Sequence, residues 1–127
     1  MPGATTLTAP LLSVVDDDES MREAIDWVLR SNGWRTRTFD SATGFLEAGT
    51  DPRPDCIILD VRMPGMNGLE LQRKLTEMAG TPPIIVVSAH LTERLEKQLL
   101  SAGAIACLRK PFTEETLLQA VRQALEQ

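Results

Sequence analysis

Short, nearly unbroken apolar runs at Leu11–Val15, Cys56–Leu59, Ile84–Val87 and Ile105–Leu108 alternate with stretches whose apolar positions recur every three or four residues. Runs of this length, rich in Val and Ile, fit strands buried on both faces of a parallel sheet. Between the first two, Met21, Ala24, Ile25, Val28 and Leu29 form the stripe of an amphipathic helix. Its start is offered by Ser20 with Glu23 as a capping box, or by Asp18 as the cap, and Asn32-Gly33 closes it. Arg35 to Phe39 is short and carries charge, as an edge strand does to avoid pairing with another molecule. A weak second helix follows over Ser41 to Ala48, and a third runs from near Asn67 to Met78 before the break at Gly80 to Pro83. The fourth helix, about Thr92 to Ser101, has only the narrow apolar line Leu91, Leu95, Leu99 and is expected to pack least securely. Thr113 caps the fifth, which turns Leu117, Leu118, Val121, Ala124 and Leu125 to the sheet.

Five strands alternating with five helices specify a doubly wound α/β domain, because right-handed crossovers place helices on both faces of a five-stranded parallel sheet. The polar second strand belongs at an edge, which gives the order 2-1-3-4-5. The topological switch point, where such folds bind ligands, then lies between the first and third strands. With 127 residues the chain suits one domain, spanning 11–126 after a disordered lead over 1–10.

Composition narrows the partners. A net charge of -5 argues against a nucleic-acid surface on this segment, so any contact with DNA would be indirect. Cys56 and Cys107 both fall inside expected strands, where buried free thiols are the simplest reading, and they point to a reducing, cytoplasmic setting. Trp27 and Trp34 read as packing residues. Nothing in the chain reads as a membrane span.

The chemistry gathers where the strands end. The four apolar runs are followed by Asp16-Asp17, by Asp60, by Ser88 and, after Arg109, by Lys110. Parallel strands point their C-terminal ends the same way, so three carboxylates, a hydroxyl and an ammonium should meet at one edge. Asp60 is a poor nucleophile toward a phosphoryl group unless a cation offsets the repulsion, and Asp16 with Asp17 supplies hard oxygen ligands suited to Mg2+.

The segments Val15-Asp16-Asp17-Asp18-Glu19, Leu59 to Gly68, Val87-Ser88-Ala89-His90 and Arg109-Lys110-Pro111-Phe112 together resemble the receiver domain of bacterial two-component response regulators, a flavodoxin-like fold. The Met63 to Gly68 loop, Ala89-His90 and the Ser101 to Ala104 turn resemble the subgroup that carries a LuxR-type helix-turn-helix output domain. The resemblance implies Asp60 as phosphoacceptor, with a sensor histidine kinase as donor and altered association as the output. It implies Mg2+ held directly by Asp17 and Asp60, largely through water by Asp16, and by the backbone carbonyl of Arg62. Lys110 would neutralise a phosphoryl oxygen, Ser88 would donate to another, and Lys110-Pro111 would be cis. Ser88, Ala89 and Cys107 would form the switch, with a phosphorylation-promoted homodimer through the fourth helix and fifth strand. On this reading the chain is a single-domain regulator or, as the resemblance favours, a fragment of a longer one, and no turnover enzyme for an external substrate.

Two other readings compete. A Mg2+-dependent phosphatase of the haloacid dehalogenase class needs an acid two residues beyond its nucleophile, where this chain has Arg62. An unphosphorylated interaction domain would be expected to lose an acidic or lysine position, and none is lost. One departure from the family touches transmission: Cys107 stands where many receivers carry a buried Tyr or Phe.

Overall fold

The computed structural model describes residues 9–48, 51–61, 70, 73–74 and 81–126. Within them the order is β1 (Leu11–Val15), α1 (Glu19–Ser31), β2 (Arg35–Phe39), α2 (Ala42–Ala48), β3 (Cys56–Asp60), β4 (Ile84–Ser88), α3 (Glu93–Ser101), β5 (Ala106–Arg109) and α4 (Glu114–Leu125). The helix expected from Asn67 to Met78 falls almost wholly outside the described residues; Glu70, Arg73 and Lys74 are helical. The strands form one sheet in the order β2-β1-β3-β4-β5, and every neighbouring pair is parallel.

Strand periodicity divides the core in two. On one face Val15, Ile57, Leu59, Ile84 and Val86 pack with Phe45 of α2 and Leu99 of α3. On the other, Leu12, Val14, Ile58, Ile85 and Val87 pack with Ile25 and Leu29 of α1 and with Leu117, Val121 and Ala124 of α4. β1, β3 and β4 are buried along their whole length, which is why they read as apolar runs rather than alternating ones. β2 lies at the edge, its outer arginines tied down: Arg35 Nε donates to Ala9 O at 2.8 Å, and an Arg37 amino group donates to Ala48 O at 2.9 Å. Ala9 and Pro10, assigned above to the lead, are thus held to the domain; Pro10 O also accepts Arg35 N.

Local signals set the helix limits. Asp18, rather than Ser20, caps α1, its side chain accepting Met21 N at 3.2 Å. Thr92 and Thr113 cap α3 and α4 in the same way. Gly33, at φ +88°, ends α1 in the left-handed region, so that Trp34 N reaches back to Leu29 O at 3.3 Å. The Asp51–Pro52 and Lys110–Pro111 peptides are cis.

Three side-chain expectations change. Trp27 is 67% exposed: two residues from Ile25 on a helix is a turn of about 200°, which places it opposite the buried stripe. In α4, Ala120 is buried where Leu118 was expected, and Leu118 is half-buried on the flank of the stripe. Cys107 is half-buried because β5 is an edge strand and α3, above it, contributes only Leu99 as a fully buried side chain.

Ser13 is fully buried in the middle of β1, and its Oγ has no hydrogen-bond partner among the described residues. An unsatisfied buried hydroxyl costs about 1–3 kcal/mol. Ser13→Ala should therefore leave the urea unfolding midpoint unchanged or raise it, by up to about 1 kcal/mol of stability. A loss above that size would show that the hydroxyl has a partner.

Candidate functional site

Side chains of like parity gather at the C-terminal edge of the sheet. Leu12 and Val14 of β1, Ile58 of β3 and Leu108 of β5 face α1 and α4. Continuing the same alternation, Asp16, Asp60 and Lys110 emerge on that side, just where the strands stop. Lys110 Nζ lies 2.9 Å from Asp16 Oδ2 and 3.3 Å from Asp60 Oδ2. The ammonium thus reaches from the far edge strand across β4 to the carboxylates that end β3 and follow β1.

Asp16 is fully buried and held from several directions. Its Oδ1 accepts Asp18 N at 2.9 Å, its Oδ2 takes the lysine, and its backbone N donates to Phe39 O at 3.1 Å. Its carbonyl accepts a guanidinium N–H of Arg22 at 2.8 Å, a contact that the sequence reading missed. Asp60 is 5% exposed, whereas Asp17 faces solvent. One carboxylate oxygen from each of Asp16, Asp17 and Asp60 lies within 4.8 Å of the others. Three carboxylates against one bridging ammonium leave about two negative charges to balance, and hard oxygen donors at this spacing suit a divalent cation. Arg62, whose carbonyl completes the expected metal set, lies outside the described residues.

Ser88, at the end of β4, is fully buried. Its Oγ accepts His90 N at 3.1 Å, and its carbonyl accepts Lys110 N at 2.9 Å, which ties the Ser88 and Lys110 loops together. By parity Ser88 belongs to the opposite face, two residues beyond Val86, the partner of Cys107 in the β4–β5 register. Ala89 and His90 are exposed.

Partial burial on its own would lower the pKa of Lys110. The hydrogen bond and charge of Asp16, together with those of Asp60, outweigh it and hold the ammonium above its ordinary range. Burial, with the Asp55 charge, pushes the Cys56 thiol up to about 12. Burial, with the Glu96 charge, pushes Cys107 up to about 11.

The chain matches the response regulator receiver domain family over residues 12–122, and it belongs to that family. The response regulator protein TmoT of Ectopseudomonas mendocina is 45% identical over 91% of this chain and 53% of its own length. The transcriptional regulatory protein TdiR of Thauera aromatica is 39% identical over 98% of this chain and 55% of its own. The chain therefore spans about half the length of the curated relatives it matches. The solved structure of the response regulator StyR superposes with a TM-score of 0.81 at 44% identity, covering 93% of this chain and 60% of that one. The relatives are signalling proteins, and receiver domains of response regulators interact with histidine kinases. Among the described residues no helix is long and apolar enough to cross a membrane.

The raised pKa values have a definite sign. Above about pH 8.5 an unfolded chain releases thiol protons, and above about 10.4 lysine protons, that the folded chain retains. The folded state then binds more protons, so stability falls as pH rises. The thiol contribution is lost progressively until Cys107 titrates at about 11 and Cys56 at about 12. Urea midpoints measured from pH 7 to 10 should decline above 8.5, and Cys56→Val should flatten the decline. An equally steep decline in the variant would mean that Cys56 is not its source.

Proposed function

We propose that this domain is a phosphorylation-dependent signalling switch that accepts a phosphoryl group on Asp60 from a sensor histidine kinase, with Mg2+ bound. The output is a change of association, which in the whole protein controls transcription through a DNA-binding domain beyond this segment. The observation that carries the reading is the Lys110 ammonium set between Asp16 and Asp60 with Asp17 alongside. That arrangement suits a phosphoanhydride-like group on Asp60 better than it suits a merely solvated acidic edge.

In the transfer an Asp60 oxygen attacks the phosphorus of a phosphoimidazole. The P–O bond forms as the P–N bond breaks, and the imidazole nitrogen keeps the electron pair. Asp16, Asp17 and Asp60, with the Arg62 carbonyl, would hold Mg2+, which supplies positive charge against the incoming phosphoryl oxygens. Lys110 meets a further phosphoryl oxygen as a point charge. The Ser88 Oγ accepts from His90 N and so keeps its own proton to donate to the phosphoryl group. Catalysis on this reading is mainly electrostatic positioning, and hydrolysis of the acyl phosphate resets the switch without turnover of an external substrate.

Transmission follows from what surrounds Ser88. A hydroxyl drawn toward phosphate releases the Ser88-Ala89-His90 turn, which leads directly into α3. With Leu99 as its one fully buried side chain, α3 is a weakly anchored element and can take a second position. Leu95 and Cys107 are half-buried beside the β5 edge, a surface suited to a phosphorylation-promoted homodimer. Free thiols at Cys56 and Cys107 support a cytoplasmic setting.

Incubation with a small phosphodonor and Mg2+ should add one phosphoryl group by intact mass. Asp60→Asn should abolish the gain. Asp17→Asn should reduce it in a way that extra Mg2+ partly restores, since one residue is nucleophile and the other ligand. Full labelling of the Asp60 variant at another residue would refute the assignment.

A beryllium fluoride mimic should raise hydrogen exchange or shift backbone positions from Ala89 to Leu95 more than at Cys107, and should promote self-association. Change confined to α4 would exclude this route.

A further inference from the structure

We infer that Arg22 is a positioning residue for the cation site, setting the shape of the Asp16–Asp18 loop from the first turns of α1; this rests on the Mg2+ reading above. The residue grips the loop at both ends. Its backbone N donates to Asp18 O at 2.9 Å as part of the helix, and its guanidinium donates to Asp16 O at 2.8 Å. Asp17 lies between those two carbonyls and is exposed, so the backbone on either side decides where its carboxylate stands.

Asp16 needs no help of this kind for its carboxylate. One of its oxygens is taken by Lys110 and the other by Asp18 N. The Arg22 bond goes instead to the main chain, so it adds rigidity next to the site while leaving the site's carboxylate oxygens for a cation. A lone Asp16–Lys110 pair would not restrain the peptide that follows it. Arg22 makes the restraint a closed ring, running from Asp16 O through the guanidinium and the α1 backbone to Asp18, and from Asp18 N back to Asp16 Oδ1. Loops held in their bound shape spend less ordering entropy on capture of an ion. Groups that orient metal ligands without touching the metal are commonly worth ~10-fold to ~100-fold in affinity.

The test is a Mg2+ titration followed by backbone amide chemical shifts, on the wild-type chain, Arg22→Gln, Arg22→Lys and Arg30→Ala. Arg30 lies on the same helix, pairs only loosely with Asp26 at 3.8 Å, and controls for general destabilisation of α1. Arg22→Gln should raise the Mg2+ dissociation constant about tenfold. Arg22→Lys, which keeps the charge but not the planar fork, should fall between it and wild type, and it carries the test alone if the Gln variant does not fold. In the absence of Mg2+, amide exchange at Asp17 and Asp18 should quicken in Arg22→Gln and not in Arg30→Ala. Unchanged Mg2+ affinity in both Arg22 variants, or an equal loss in Arg30→Ala, would overturn the inference and leave the proposed function standing. A wild-type chain without saturable Mg2+ binding would instead overturn the cation reading, and this inference with it.

Discussion

The ammonium of Lys110 between Asp16 and Asp60 is the contact on which the rest of the arrangement depends. A buried carboxylate is costly unless it is paired, and here two nearly buried carboxylates share one half-buried lysine at 2.9 and 3.3 Å. The pairing holds negative charge at the sheet edge without discharging it, because Asp17 adds a third carboxylate within 4.8 Å. A site balanced short of neutrality has electrostatic reason to take up a cation. Removal of the lysine would leave buried like charges facing one another.

That contact exists because the sheet is parallel and ordered β2-β1-β3-β4-β5. Lys110 and Asp16 are 94 residues apart in the chain. They meet because β1, β3 and β5 end at a common edge and expose the same parity there. The apolar runs that bury β1 and β3 on both faces, and that seat β5 beside β4, are therefore also what aligns the polar residues after them. Packing and chemistry are set by one periodicity.

The two faces of the sheet carry different parts of the proposed switch. Asp16, Asp60 and Lys110 lie toward α1 and α4, the better-packed side, where four residues of α4 are buried. Ser88 and Cys107 lie toward α3, which meets the sheet through fully buried Leu99 and partly buried Leu95. A rigid charged site beside a weakly held helix is the physical condition for a local charge change to move structure on the other face. Cys107 is half-exposed at the β5 edge and is too small to fill space as a ring would, so it adds little to that hold.

Much of this was legible in the chain. Apolar runs and helical stripes are local, and the single polar strand, Arg35–Phe39, identified its own edge position; together they determined the fold and the strand order. The acidic, hydroxyl and lysine residues after those strands determined which groups would share an edge. Other features depended on tertiary surroundings. The exposure of Trp27, the half-burial of Cys107 and the orphaned hydroxyl of Ser13 depend on what covers each face, which no local pattern records. The Arg22 contact was hidden for a related reason. An arginine early in a helix looks like any solvated charge until the turn at Asp16–Asp18 brings a main-chain carbonyl to it, and main-chain partners leave no mark in a sequence.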